Sequence, residues 1–218
     1  MLEVEGLTRL GLGPVDLTVP AGCLAVLMGA SGAGKSLLLR ALADLDPATG
    51  RVRLDGVDRA ALPAPLWRRR VVYLAAEAGW WADRVGAHFA DRAAARALLP
   101  ALGLPAEALD WDIARASTGE RQRLALARCL TLPRAPETPR LYLLDEPTSA
   151  LDAESVARAE PILRALPDAR TAVLMVSHDA AQAARLGDRR LVLTEGRVTV
   201  VSGPDPGPGP GPGPGTAS

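Results

Sequence analysis

The sequence predicts an α/β fold: a mainly parallel sheet covered by helices, an antiparallel β region at the N terminus and a helical subdomain in the middle of the chain. Three observations carry this expectation. Short apolar runs without alternation, CLAVLM, VVYLA, RLYLL and TAVLMV, read as strands buried on both faces. Helix-spaced segments such as LLLRALADL and AAQAARL fall between these runs, as strand–helix alternation requires. From about residue 76 to 132 the texture turns helical and rich in Ala, Arg and Leu, with breaks at Pro100 and Pro105.

The elements follow in order. LEVEGL and VDLTV read as antiparallel strands leading into a buried strand over residues 23–28. A Gly-rich stretch at 29–36 opens the helix LLLRALADL, and GRVRLDGVD reads as a strand and turn before the strand VVYLA. After the helical region come the strand RLYLLDEP, a helix over ESVARA and ILRAL, the strand TAVLMVSHD, the helix AAQAARL and the hairpin RRLVLTEGRVTVV. Pro161, between ESVARA and ILRAL, is expected to start or kink a turn. One domain over 1–202 results. The end, residues 203–218, places Gly at every second position of GPGPGPGPG, which excludes a collagen repeat and predicts a disordered tail.

Composition bounds the function. The chain has 218 residues, 48% apolar and 23% charged, enough for a substantial core. Lys and Arg number 25, and Asp and Glu also 25, so nothing in the balance points to nucleic acid, and none is expected as a partner. Cys23 and Cys129 lie in apolar segments and read as reduced, buried thiols. No apolar run approaches the roughly 20 residues of a spanning helix, and the acidic start lacks the pattern of a secretion signal. A cytoplasmic protein is expected, with any membrane role supplied by a partner.

Lys35, inside GASGAGKS at 29–36, is the only lysine; every other basic residue is Arg. The stretch fits G-x-x-x-x-G-K-[ST] between an apolar strand and a helix, the context a phosphate-cradling loop needs. Gly29, Gly32 and Gly34, with Ala30, Ser31 and Ala33 between them, let successive N–H groups face phosphate oxygens. Lys35 supplies a compact ammonium to the β- and γ-phosphates, and Ser36 a hydroxyl to Mg²⁺. A planar guanidinium is too wide for such a loop, which explains the single retained lysine.

Two further stretches narrow the chemistry. LYLLDEP ends an apolar strand in Asp145, placed to hold Mg²⁺, and Glu146, placed to polarise an attacking water. In isolation the two acids equally well begin a turn. ASTGERQR has the Ser117–Glu120 spacing of a capping box, which in isolation marks simply a helix start; read functionally, Ser117 and the free N–H groups of Thr118 and Gly119 make a second anion site. That site is too distant in sequence to be assumed near its own phosphate loop, so a head-to-tail dimer would lay it over the partner copy's ATP.

Taken in order, these motifs resemble the ATP-binding cassette (ABC) ATPases over nearly the whole chain before the tail. The correspondence comprises the phosphate loop at 29–36, a signature at 116–120 where most members read LSGGE, the strand 141–145 with catalytic Glu146, a following loop at 149–152, and His178 at the position of the switch histidine that contacts the γ-phosphate. The resemblance implies a P-loop NTPase core with a helical subdomain, ATP and Mg²⁺ as cofactors, two composite sites in a dimer of two copies, and a polytopic membrane permease as partner on the cytoplasmic face of the membrane. Two departures stand out. Positions 10–12 read LGL where the family has an aromatic for adenine. Ala76 or Glu77 stands where the family has a Mg²⁺-ligating glutamine, since the chain's two glutamines are Gln122 and Gln182. Glu77 is therefore a candidate third Mg²⁺ ligand. The stretch VVYLAAEAGWW and the STGE signature look most like the small bacterial iron-efflux-type subunits, in which Trp80 and Trp81 lie where the permease's coupling helix docks; packing inside the subdomain is their other reading. A soluble non-transport ABC-class ATPase and a regulatory module with little turnover remain the competing functions.

Overall fold

The computed structural model describes residues 1–135 and 138–203. Strands β1 (Leu2–Arg9), β2 (Leu12–Val19), β4 (Thr49–Leu54) and β5 (Val57–Asp58) form an antiparallel sheet in the order β2-β1-β4-β5. The second sheet takes β3 (Leu24–Met28), β6 (Val71–Leu74), β7 (Arg140–Asp145), β8 (Thr171–Val176), β9 (Arg189–Thr194) and β10 (Arg197–Ser202), in the order β10-β9-β3-β8-β7-β6. Its strands are parallel except β10, which returns antiparallel on the edge. The helices are α1 (Lys35–Leu42), α2 (Ala64–Arg70), α3 (Arg92–Leu98), α4 (Thr118–Leu130), α5 (Ala153–Arg164) and α6 (Ala180–Leu186). Among the described residues no helix is long and apolar enough to cross a membrane.

The parallel strands are buried on both faces, and their period of two divides the interior into two cores. Ala25, Leu27, Leu141, Leu143, Ala172 and Leu174 join α1 and the antiparallel sheet in one core, where Cys23 also lies. Leu24, Val26, Tyr142, Leu144, Val173 and Met175 face α4, α5 and the helical region in the other, with Cys129. Asp145, at the end of β7, follows the parity of Leu141 and Leu143 and so faces the α1 side.

Three local features differ from the expectations above. The region around 76–132 contains α3 and α4, but its other helical pieces are short 3-10 turns at Val85–His88, Leu99–Leu102, Ala106–Asp110 and Ile113–Arg115, joined by irregular chain. Pro100 and Pro105 each stand at the start of such a turn, where a missing N–H costs nothing. Pro161 neither starts nor breaks a turn: α5 runs through it, and Ala165 N–H still donates to its carbonyl at 3.1 Å. Ala159 and Leu163, both fully buried, bracket the proline and hold the helix on the core, so packing outweighs the one lost backbone bond. Helix α2 adds an element that the apolar pattern does not signal; Trp67 buries its ring there and donates Nε1–H to the Leu42 carbonyl at 2.9 Å. The Gly/Pro tail expected at 203–218 lies outside the described residues except for Gly203.

Asp46 ties the antiparallel sheet to α1, accepting from Arg40 Nε at 2.6 Å, from Arg40 Nη2 at 2.9 Å, and from Arg9. The hydrogen bonds from Arg40 hold its carboxyl down at about 2, against desolvation, with Arg9 adding to the effect. The folded-state value lies below the unfolded one of about 3.9. The link therefore stabilises fully above about pH 4 and is lost as pH falls towards 2. Asp46→Asn should lower the thermal midpoint at neutral pH and flatten its decline between about pH 5 and pH 2 relative to the parent; equal slopes in the two proteins would remove Asp46 from the acid response.

Candidate active site

β3 delivers its chain into a loop that the sequence shapes residue by residue. Gly29 has φ 148, and a Cβ there would lie 2.5 Å from the Leu193 carbonyl oxygen on β9, so only glycine fits. Gly34, at φ 97, caps α1 without any side-chain acceptor, and the first intrahelical bond runs from Leu38 N–H to the Gly34 carbonyl at 2.9 Å. The N–H groups of Lys35, Ser36 and Leu37 thus have no acceptor within the helix. Ala33 N–H closes the loop onto the Ala30 carbonyl at 3.2 Å, with Ser31 and Gly32 at its exposed tip. Lys35 is only 8% exposed, and its Nζ donates to the Gly29 and Ala30 carbonyls at 2.9 and 2.8 Å. The ammonium is wrapped by the loop, as the retained lysine predicts.

This loop forms one wall of a cavity of about 500 Å³ lined also by Ser36, Asp145, Glu146 and His178. Asp145 is buried, and its Oδ2 accepts from the Tyr73 hydroxyl at 3.2 Å. Glu146 stands at φ 48, with its N–H on the Val176 carbonyl and its carbonyl accepting from Gln122 Nε2 and the Ser149 hydroxyl. His178 Nδ1 lies 3.3 Å from Glu146 Oε2. Orphaned helix N–H groups and an enclosed ammonium suit phosphate oxygens, while the Ser36 hydroxyl and the Asp145 carboxylate are hard oxygen donors suited to Mg²⁺. The residues present therefore fit both groups.

Tyr73 joins the site without a motif to mark it. Its one signal in the sequence is the phenol in the otherwise aliphatic strand VVYL, since a half-buried hydroxyl must find a partner. Burial and then the negative Asp145 raise its pKa, so it stays a donor to that carboxylate. The other sequence candidates lie elsewhere. Glu77 and Ala76 are exposed after β6, and neither lines the cavity. Ser117 and Glu120 close a capping box on α4: Ser117 Oγ accepts from Glu120 N–H at 3.3 Å, and Glu120 Oε2 accepts from Ser117 N–H at 2.8 Å. That backbone bond lowers the Glu120 pKa. Ser117, Thr118, Gly119 and Glu120 do not line the cavity of their own chain.

Leu10, 96% exposed, tips the β1–β2 hairpin, and Leu12 Cδ1 comes within 3.4 Å of where a Gly34 side chain would start. The hairpin carrying LGL therefore borders the phosphate loop. Of the two adjacent tryptophans, Trp80 packs on the second core while Trp81 is 73% exposed. His88 meets both rings edge-on and accepts from the Trp81 and Ala82 N–H groups at 2.9 and 3.1 Å. The Arg128 guanidinium lies over both rings, 4.6 and 5.1 Å from their centroids.

Known proteins share this chain's sequence pattern and its fold. The sequence profile of the ABC transporter family matches residues 12–149. The chain is 36% identical over 200 residues to an aliphatic sulfonates import ATP-binding protein of Burkholderia ambifaria, covering 88% of this chain and 59% of that one. A protein of the same description from Nocardia farcinica is 42% identical over 187 residues, 84% of this chain and 71% of that one. The chain thus spans under two thirds of the Burkholderia protein's length. Among solved structures, a bacterial Atm1-family ABC exporter with ATP bound superposes with a TM-score of 0.77 at 27% identity, over 90% of this chain and 37% of that one.

The wrapped ammonium generates a sharp test. Lys35→Arg keeps the charge but cannot fit between the Gly29 and Ala30 carbonyls, so ATP affinity in calorimetry should fall at least tenfold, about 1.4 kcal/mol, with the melting curve of the nucleotide-free protein unchanged. Near-parent affinity would contradict the geometric account.

Proposed function

The chain belongs to the ATP-binding cassette family of ABC transporters, and from that premise we propose that it hydrolyses ATP to ADP and phosphate to drive a separate polytopic permease from the cytoplasmic face of the membrane. The observation that carries this reading is the meeting of Glu146 and His178, 3.3 Å apart, over a cavity walled by the phosphate loop and Asp145. Lys35 and the N–H groups opening α1 take the β- and γ-phosphate oxygens, and Ser36 and Asp145 hold Mg²⁺. The metal, when bound, offsets charge on the phosphates. Tyr73 fixes one oxygen of Asp145 and leaves the other for the metal. Glu146 orients and polarises the attacking water, and His178 contacts the γ-phosphate and keeps the Glu146 carboxylate aimed. The contact between these two side chains argues for turnover rather than a purely regulatory module.

The working unit is a head-to-tail dimer of two copies. Support comes from the α4 N terminus, where Thr118 and Gly119 open the helix and the Ser117 hydroxyl keeps its hydrogen free to donate. These donors lie off their own chain's cavity, as a site completed by a second copy requires. The exposed Trp81 face is the permease contact in this reading. The iron-efflux resemblance rests on two short stretches, 71–81 and 117–120, while the relatives above bear the name of sulfonate importers; the cargo is a property of the permease. Glu77 becomes a Mg²⁺ ligand only if segment 75–81 swings inward. Glu77→Ala slowing Mg²⁺-dependent hydrolysis tenfold would mark that movement, and an unchanged rate would remove Glu77 from the site.

Glu146→Gln should retain ATP while hydrolysis falls at least a hundredfold, about 2.7 kcal/mol of barrier, and the variant should run as a dimer in size-exclusion chromatography with ATP and Mg²⁺. Adding Ser117→Arg to it should return the monomer. A Glu146→Gln variant that stays monomeric with bound ATP speaks against the shared sites, and one that hydrolyses at the parent rate speaks against Glu146 as the residue activating water.

A further inference from the structure

The chain's two glutamines are both buried, sit on two different helices, and both bond to the turn that follows β7. From α4, Gln122 Nε2 donates to the Glu146 carbonyl at 3.3 Å. From α6, Gln182 Nε2 donates to Thr148 Oγ1 at 2.9 Å and to Glu160 Oε1 at 3.2 Å, and its Oε1 accepts from the Ser177 hydroxyl at 3.0 Å. Ser177 Oγ accepts in turn from Asp179 N–H at 3.1 Å, and Asp179 caps α6 by accepting from the Ala181 and Gln182 N–H groups. Gln182 thus joins a residue two positions after Glu146 to the residues on either side of His178.

The β7–β8 ladder sets the spacing of these two segments only as far as Asp145 and Val176, where the Glu146 N–H donates to the Val176 carbonyl at 3.2 Å. A cavity of about 180 Å³ opens between them, lined by Glu146, Thr148, Ser177, His178 and Gln182 among others. Glu146 itself stands in the left-handed region, a conformation that a non-glycine residue keeps only where its surroundings over-determine it. Beyond the end of the ladder, side-chain hydrogen bonds across the gap add to that constraint. An amide is suited to this, because it donates and accepts at once and can bridge two hydroxyls and a carboxylate from one buried position.

We propose that Gln182, with Gln122 opposite, is a positioning residue that locks the Glu146 turn to the His178 segment, so that their side chains keep the contact needed for water attack. The inference rests on the roles proposed above for Glu146 and His178. It implies that removing the amide leaves nucleotide binding intact and damages the chemical step, because the phosphate loop shares no bond with Gln182.

The test is Gln182→Leu, close in size and without donor or acceptor. In the nucleotide-free protein, amide exchange at Ser149, Leu151 and Asp179 should accelerate at least tenfold, with β3 and β8 unchanged. With ATP and Mg²⁺, kcat should drop at least tenfold while KM and nucleotide Kd stay within twofold. Thr148→Val removes the other end of the main bond and should give the same pattern, with the double variant no worse than the single ones. If Gln182→Leu does not fold, Thr148→Val carries the test alone. Unchanged exchange at those amides, a change in KM rather than kcat, or additive losses in the double variant would overturn the proposal. A parent chain without turnover would overturn the roles of Glu146 and His178, whereas the exchange result still decides the lock.

Discussion

Between their end residues, strands β3, β7 and β8 are covered on both faces, so a charged side chain there would be stripped of water with nothing to replace it. Polar chemistry can begin only where each strand ends. β3 ends before Gly29, β7 ends in Asp145, and β8 ends before Ser177 and His178. Because the three are parallel neighbours in register, these ends arrive side by side on one edge of the sheet. The cavity and the phosphate loop follow from that exclusion, which also brings Glu146 and His178 to one edge of the sheet.

The same exclusion explains which parts of the site are legible in the sequence. Glycine, lysine and paired acids directly after apolar runs signal a strand end from the residue order alone, and 29–36 and 145–146 carry that signal, whereas His178 stands out only through the family resemblance. Tyr73, Gln122 and Gln182 do not. Tyr73 and Gln182 are polar within otherwise apolar patterns, Gln122 is one polar residue in the run ERQR, and their partners lie 72, 34 and 24 residues away. Topology alone makes such pairs neighbours. Pro161 departs from expectation for a related reason: the local rule holds, but burial of Ala159 and Leu163 outweighs it. The mid-chain region with a helical texture is broken into two α-helices and four short 3-10 turns because its prolines and short apolar pairs suit single turns packed on a core.

Arginine's dominance also acquires a structural meaning. Arg140, buried, donates to the Leu132 and Pro133 carbonyls, each at 2.9 Å. Arg189, also buried, reaches the Thr18 carbonyl at 2.6 Å, and Arg59 the Ala41 carbonyl at 2.7 Å. Arg140 also reaches the Arg69 carbonyl at 3.5 Å and Arg59 the Ala48 carbonyl at 3.3 Å, so the fork of one guanidinium meets backbone acceptors from separate segments, a task a point-like ammonium performs less well. Lysine survives where the reverse holds, inside a loop with room for a compact charge.

The two cysteines sit on opposite sides of the same sheet, Cys23 in the core beneath α1 and Cys129 in the core beneath the helical region. Neither can reach the other without unfolding. Burial pushes Cys23 up to about 11 and Cys129 up to about 12. At neutral pH the reactive thiolate is then on the order of one in ten thousand molecules or fewer. An oxidant that attacks exposed thiolates would find neither cysteine of this fold in its reactive form.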